Sequence, residues 1–269
     1  MIDGIAPLYS DPAYQRADYR TIAQTIEAQA GANDVIVLDA PNQVEVFDYY
    51  YHGSATVYPL PVGLNADMTA TEQVLRAEIL SADRRVFAVF WGDRERDPAQ
   101  IVEGTLDRDA YEIDNQWFGV VRLTRYVTGG DLPAACPESI QFGDLIALRA
   151  CALSGTAFAP GDVIRLRFDW QTVNAEQPLD RRYKVFVQLL NADGVLVAQR
   201  DSEPVGGSLI TTDWPPGETI RDQHGLALPA DLPPGTYTLI VGWYDANDGS
   251  ARLPVNGSDY MTLQTIEIR

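Results

Sequence analysis

The sequence pattern changes near residue 130, and this change constrains the fold more than any other feature. Before it, short apolar runs alternate with segments whose apolar residues recur at helical spacing. After it, helical spacing disappears, and segments with strand character are separated by turn sequences. Alternating strands and helices indicate an α/β sheet, whereas strands and turns alone indicate an antiparallel sandwich. The sequence therefore predicts an α/β domain over 1–130, a linker at 131–140 and a β-sandwich domain over 141–269.

The first half is predicted to be an open, mostly parallel, three-layer α/β domain. Residues 16–29 have helical spacing, and 86–91 form the strongest strand pattern. Continuous apolar runs such as 86–91 suit parallel strands that are covered on both faces. We also expect Asn42 to cap a helix, with Glu45 as its partner three residues later. A single strand over 117–127 is expected to close the domain.

The second half is predicted to be an antiparallel Ig-like β-sandwich. Residues 163–170 alternate apolar and polar side chains, and proline–glycine and aspartate–glycine pairs mark turns between the strands. The segment 231–237 is similar to the tyrosine corner of Ig-like sandwiches, which gives Tyr237 a packing role. His224 is predicted to be a satisfied turn histidine, and 245–249 a hairpin turn.

The charge balance and the histidine count exclude several functions. The chain has 38 acidic and 20 basic residues, a net charge of −18, so its surface repels phosphate backbones and nucleic acid is not expected as a partner. The two histidines, His52 and His224, fall in different predicted domains, and no cysteine–histidine cluster has metal-ligand spacing. No glycine-rich phosphate-binding motif follows a strand. We therefore expect neither a metal ion nor a cofactor.

The two cysteines, Cys136 and Cys151, lie near the predicted domain boundary. They could form a disulfide, which would restrict the unfolded chain, or they could be two separate thiols, one on a linker and one in a strand. A cysteine pair at a boundary favours an oxidising compartment.

Polar and aromatic side chains follow the strands of the α/β half, at the edge where ligands bind in such sheets. Carboxylates and amides can bind the hydroxyl groups of a sugar, and an aromatic face can pack against its C–H surface. The sequence nevertheless favours structural roles for these residues, as a helix cap, a surface ion pair and a strand end, because only the predicted topology brings them together. The candidates at this edge are Asp39, Asn42, Gln43, Trp91, Asp93 and Arg94.

A long polar segment, 199–214, supplies three further candidate ligand-binding residues, Asp201, Glu203 and Trp214. The segment ends in an aromatic residue, as the ligand platforms of sandwich modules often do. It could equally be a loop folded over one end of the sandwich, and the sequence supports both interpretations.

The segment 9–20 resembles one found in bacterial family-39, protein O-mannosyltransferase-like membrane glycosyltransferases. In that family the segment follows the last transmembrane helix and leads into an extracytoplasmic α/β region, which in some members is followed by a β-sandwich. Further stretches similar to those regions are 35–39, 41–51, 86–91, 201–204 and 232–235.

The resemblance implies a non-catalytic extracytoplasmic region, periplasmic or at the cell surface and tethered to the membrane in the parent protein. The catalytic aspartates of that family lie between transmembrane helices, which have no counterpart in this sequence, so no catalytic residue is carried over. Its partners would be the transmembrane catalytic region, which uses a lipid-phosphate sugar donor, and a glycan or acceptor. Two alternatives remain: an independent secreted carbohydrate-binding protein, and a hydrolase with carboxylates at the α/β strand ends.

Overall fold

A computed structural model describes residues 17–63, 66–137 and 139–269, so most of the segment 9–20 lies outside the described residues. Strands account for 44% of the structure and helices for 20%, which makes the fold β-rich. The chain forms two compact units. The first ends at Leu106 and resumes over Asp114–Gly129, and the second comprises Asp107–Ile113 and Gly130–Arg269.

Helices and strands alternate in the chain up to Gly129, as its sequence pattern predicts. A 3-10 turn lies at Pro41–Gln43, and a π-helical turn at Leu75–Ile79. The other elements are α1 (Tyr19–Gln29), β1 (Val35–Asp39), α2 (Val44–Tyr50), β2 (Thr56–Leu60), α3 (Met68–Val74), β3 (Arg84–Phe90), α4 (Asp93–Arg96), α5 (Ile101–Asp109), β4 (Tyr111–Phe118) and β5 (Val121–Thr128).

The sheet of the first unit has the order β2-β1-β3-β5-β4. Strand β1 pairs in parallel with both β2 and β3, while β5 pairs antiparallel with β3. The prediction of a single strand over 117–127 is wrong, because this region contains the end of β4 and most of β5, two separate strands. The chain turns between them at Gly119, which has a φ of 66°, a left-handed conformation that glycine adopts without steric cost.

The helix starts in the first unit differ from the predicted ones. Helix α1 begins at Tyr19, because the Asp18 side chain accepts a hydrogen bond from the Thr21 backbone N–H at 3.0 Å and caps the helix there. The expected cap at Asn42 is wrong, because no side chain caps the 3-10 turn that contains it. Helices α1 and α2 pack on the sheet through a cluster that includes Ile22, Ile26, Ile36, Leu38, Phe47, Phe87 and Val89.

The second unit is built from strands and turns. The predicted linker at 131–140 contains β6 and the first residue of β7, and both strands pair with β8. Three residues of the predicted linker, Ala134, Ala135 and Ile140, therefore take part in a sheet. The strands are β6 (Ala134–Ala135), β7 (Ile140–Phe142), β8 (Ile146–Leu153), β9 (Ala157–Phe158), β10 (Val163–Thr172), β11 (Tyr183–Leu190), β12 (Leu196–Ser202), β13 (Ile220–Ala227), β14 (Gly235–Asp245), β15 (Asp248–Arg252) and β16 (Met261–Ile268).

Two groups of antiparallel strands face one core in this unit. One has the order β13-β10-β8-β6, with β7 also on β8, and the other has the order β12-β11-β14-β16-β9, with β15 on β14. The alternation predicted over 163–170 is confirmed. Its buried members, Ile164, Leu166, Phe168 and Trp170, pack with Val185, Val187, Leu239, Val241 and Trp243 from the other group.

Two local contacts settle predictions about the second unit. The Tyr237 hydroxyl donates a hydrogen bond to the Pro233 carbonyl at 2.8 Å, and the Tyr237 side chain is buried. Both features agree with the packing role expected for Tyr237. Cys136 and Cys151 form a disulfide with a Cα–Cα distance of 5.4 Å. A disulfide indicates an oxidising environment. Within the described residues, each helix is too short or too polar to span a bilayer.

Candidate functional site

Three loops of the first unit meet at one edge of its sheet. Because β1 is in parallel register with β2 and β3, Asp39, Leu60 and Phe90 end their strands at the same level. The loops that follow enclose a cavity of about 190 Å³, which we call the carboxyl-edge crevice. Its lining residues are Pro41, Asn42, Pro61, Gly63, Ala66 and Arg96.

Among the described residues, two polar side chains line the carboxyl-edge crevice, and both are available to a ligand. Asn42 comes from the loop after β1 and Arg96 from helix α4, and both residues are exposed. Within the described part of the chain, neither side chain forms a hydrogen bond or an ion pair. The crevice therefore presents an amide and a guanidinium, and the other lining residues that the structure describes are proline, glycine and alanine.

The other residues predicted at this edge have different positions. Trp91 is 37% exposed beside the crevice, where its backbone N–H donates to the Asp39 carbonyl at 2.9 Å. Arg94 is exposed on α4 but does not line the crevice, and the Asp93 side chain lies outside the described residues. Asp39 is buried.

Gln43 belongs to the core rather than to a ligand site. The Tyr19 hydroxyl donates to Gln43 Oε1 at 2.9 Å, and Gln43 Nε2 donates to the Val89 carbonyl at 3.3 Å. The amide thus links α1 to β3 and satisfies buried polar groups. Gln43 is fully buried, so its side chain is not exposed to a ligand in this structure.

Arg96 lines the crevice but is not among the residues that the sequence predicts at this edge. It lies two residues after Arg94 in the same short helix, so the sequence did carry a signal for its position. The next residue, Asp97, is buried, and its Oδ2 accepts a hydrogen bond from the Val102 backbone N–H at 2.8 Å. That carboxylate is thereby committed to the start of α5.

A larger cavity of about 360 Å³ lies at the opposite, amino-terminal edge of the same sheet, against residues that include Asn33, Asp34 and Arg84. Asp34 accepts hydrogen bonds from the backbone N–H groups of Gly31 at 2.8 Å and Arg85 at 2.9 Å. It also pairs with the Arg85 guanidinium at 2.8 Å. Because its carboxylate is satisfied internally, we prefer the smaller carboxyl-edge crevice as the candidate site.

The segment 199–214 of the second unit folds over the sandwich and does not present an aromatic platform. Trp214 is only 2% exposed, donates from Nε1 to the Leu209 carbonyl at 3.2 Å, and lies edge-on to Trp243 with ring centroids 6.0 Å apart. Glu203 is held by Arg182, whose Nε donates to Oε1 at 2.7 Å. Trp214 is therefore a core residue, and the Glu203 carboxylate is occupied by an ion pair with Arg182.

Asp201 lies on the outer face of β12, where it is half-buried. The Tyr244 hydroxyl donates to Asp201 Oδ2 at 3.3 Å. Burial raises the pKa of Asp201, although this hydrogen bond acts in the opposite direction. Burial, together with the nearby Asp201 charge, raises the pKa of Tyr244 to about 12. On the same face, the Arg252 guanidinium lies 4.5 Å from the centroid of the Phe186 ring.

His224 lies inside β13 and not at a turn. It forms a buried network with Asp222, which pairs with His224 Nε2 at 2.8 Å and accepts hydrogen bonds from Trp170 Nε1 at 3.0 Å and the Val205 N–H at 2.8 Å. Burial would raise the pKa of Asp222, but the His224 charge and these hydrogen bonds outweigh it and lower the pKa. The network anchors a loop to the core and contacts no open surface.

Nowhere in 17–63, 66–137 and 139–269 do three or more histidine, cysteine, aspartate or glutamate side chains converge in a way that could hold a metal ion.

Comparisons with known proteins give only remote likenesses. No family model and no curated protein sequence matches the chain. Among solved structures, the C-terminal domain of Wzt is 13% identical, covering 52% of this chain and 81% of its own, with a TM-score of 0.33. A Niemann-Pick type C2 protein from the Japanese carpenter ant is 8% identical, covering 52% and 99%, with a TM-score of 0.31. Scores this low carry no argument about the function of this chain.

Proposed function

We propose that this chain is a non-catalytic, extracytoplasmic region of a family-39-like membrane glycosyltransferase, and that it holds a glycan or acceptor in the carboxyl-edge crevice. The observation that carries the binding role is the pair Asn42 and Arg96, whose polar groups face the same cavity without partners within the described residues. The resemblance over 9–20 and the later stretches supports the link to a transferase. The disulfide between Cys136 and Cys151 agrees with an extracytoplasmic location.

In this proposal the first unit is an open three-layer α/β domain and the second an Ig-like sandwich. The parallel pairing of β1 with β2 and β3 supports the first assignment, and the Tyr237 corner supports the second. In an open α/β sheet, ligands bind beyond the carboxyl ends of the parallel strands, which is where the crevice lies.

The chemistry of the crevice suits one sugar unit. A carboxamide both donates and accepts hydrogen bonds, so Asn42 can bind two neighbouring hydroxyl groups. The cavity of about 190 Å³ is smaller than the roughly 300–1,000 Å³ of pockets for drug-sized ligands. Trp91, which follows β3 at the same edge of the sheet, is 37% exposed, and an indole ring can pack against the C–H surface of a sugar.

Titration of the ¹⁵N-labelled full chain with monosaccharides, followed by NMR, tests the binding role. We expect chemical-shift changes at the backbone amides of the crevice. Asn42→Ala should bind the sugar roughly fivefold more weakly, because it loses one hydrogen bond of about 1 kcal/mol. The matched control is Asn33→Ala, which removes an exposed asparagine from the amino-terminal edge of the same sheet. Shifts confined to other surfaces, or equal effects of the two substitutions, would refute the assignment.

A second candidate function, an independent secreted carbohydrate-binding protein, rests on the outer face of the second unit. There Asp201, Tyr244 and Arg252 place a carboxylate, a phenol and a guanidinium together beside the Phe186 ring. The same titration separates the two candidates, because this one predicts shifts in β11, β12 and β14 and no effect of Asn42→Ala.

A further inference from the structure

Arg96 places a guanidinium on the lining of the carboxyl-edge crevice. We propose that the crevice binds a sugar with an anionic substituent, a carboxylate or a phosphate, placed against the Arg96 guanidinium while its hydroxyl groups meet the Asn42 amide. This inference rests on the proposed function, because it names the class of ligand for the same crevice.

The first argument is that Arg96 is an uncompensated cation in an acidic chain. The sequence has 38 acidic residues for 20 basic ones, so carboxylate partners are abundant. Other arginines of the first unit use them: Arg85 pairs with Asp34 at 2.8 Å and Arg122 with Glu103 at 2.5 Å. Arg96 forms no such pair within the described residues and lines a cavity instead.

The second argument is that none of the described carboxylates at this edge of the sheet pairs with Arg96. Asp97, the next residue, is buried and accepts the Val102 N–H at the start of α5. Glu95, the preceding residue, shares α4 with Arg96, and adjacent helical residues do not face each other. Asp39 ends β1 as a buried residue and is not part of the crevice lining. Among the described residues that line the crevice, Arg96 is the charged one.

The third argument concerns the anion itself. A guanidinium presents N–H groups in a planar fork that matches two oxygens of a carboxylate or a phosphate. The net charge of −18 repels anions at long range, but at about 0.15 M ionic strength this repulsion is screened beyond about 8 Å. The direct contact with Arg96 therefore decides the affinity for a bound sugar.

The test compares D-glucose, D-glucuronate and D-glucose 6-phosphate as probes in NMR titrations of the full chain at about 0.15 M salt. We expect at least one anionic sugar to bind roughly tenfold more tightly than glucose, the worth of one charge-assisted hydrogen bond. If D-glucuronate binds more tightly, the preferred anion is a carboxylate; if D-glucose 6-phosphate binds more tightly, it is a phosphate. Arg96→Gln should remove the difference, while Arg94→Gln, an exposed arginine of the same helix outside the crevice lining, should keep it.

Two results would overturn the inference: equal affinity for glucose and both anionic sugars, or a preference for anions that survives Arg96→Gln. In either case, crevice shifts that are weakened by Asn42→Ala would leave the proposed binding function intact. The absence of binding by all three sugars would reject both the inference and the function on which it rests. Arg96 is exposed, so we expect Arg96→Gln to fold normally. Amide spectra that match those of the unsubstituted protein away from residue 96 will verify this.

Discussion

The ionised form of Asp201 is less stable in the folded protein than in water. The carboxylate is half-buried on the outer face of β12, and its Oδ1 has no hydrogen-bond partner within the described residues. Burial raises the pKa of Asp201, and the hydrogen bond from Tyr244 offsets this only in part. Ionised Asp201 therefore lowers the free energy of unfolding at neutral pH.

We predict that Asp201→Asn stabilises the protein at pH 7, by at most about 1 kcal/mol once solvent screening is allowed for. Since the folded pKa lies above the unfolded value of about 3.9, the penalty is absent below pH 3.9 and develops as pH rises through the folded pKa. Urea unfolding of Asp201→Asn and of the unsubstituted protein, at pH 3 and at pH 7, gives the change in the free energy of unfolding at each pH. An equal gain at the two pH values would contradict the explanation. Asp248→Asn is the control, because hydrogen bonds from Ser250 lower the pKa of that exposed carboxyl and the substitution should not stabilise.

Asn42 and Gln43 show what residue patterns can and cannot predict at a site. Both amides follow β1 and both were expected at the ligand edge, yet consecutive positions of the 3-10 turn point one to solvent and the other into the core. The choice depends on contacts with Tyr19 and Val89, which are 24 and 46 residues away in sequence. The edge of the sheet was thus predictable from the strands, whereas the side chains that face its crevice were not.

At the level of elements, Gly242 makes room for an aromatic ring in the second unit. Gly242 on β14 is the register partner of Phe186 on β11. A Cβ atom at Gly242 would collide with the Phe186 ring, which also lies under the Arg252 guanidinium. This arrangement explains how Phe186, on the outer face of the sheet, is only 1% exposed. A glycine inside a strand commonly marks such a close approach.

We predict that Gly242→Ala destabilises the protein by about 1–3 kcal/mol, because the Phe186 ring must leave its position over the strand. Gly249→Ala on β15 is the matched control: no heavy atom lies within 4 Å of its added Cβ, so the change should stay within about 0.5 kcal/mol. Urea unfolding of both variants gives the comparison. Equal effects would show that alanine acts through the backbone and not through the ring.

Apolar patterns predicted the elements better than they predicted their ends. The continuous runs at β1 and β3 identified parallel strands, and the alternation in β10 identified a sandwich strand, because burial on two faces or on one dictates these patterns. The turn at Gly119 was missed because the strand propensity of the residues on both sides continues through it. His224 was assigned to a turn because its partners, Asp222 and Trp170, are brought together only by the folded sheet.

At the scale of the whole molecule, the second unit is discontinuous in sequence. The segment Asp107–Ile113 belongs to it, although a boundary near residue 130 separates the two sequence patterns. Glu112 in this segment pairs with Arg200 at 2.6 Å, and their side chains are 4% and 11% exposed. Gln223 Nε2 donates to the Arg108 carbonyl at 2.7 Å, and the Ser208 hydroxyl donates to Asp107. No local pattern could assign these residues to the second unit, because each contact spans about 90 residues or more.

This discontinuity predicts that a fragment cut at the apparent boundary, residues 130–269, is less stable than the same unit in the full chain. The fragment lacks residues 107–113, so it loses the Arg200–Glu112 ion pair and the hydrogen bonds of Gln223 and Ser208 to this segment, each worth about 1 kcal/mol. Hydrogen exchange of the core amides in β10, β11 and β14 measures the difference in both proteins. Equal protection in the fragment and the full chain would mean that residues 107–113 contribute nothing to the stability of the unit they join.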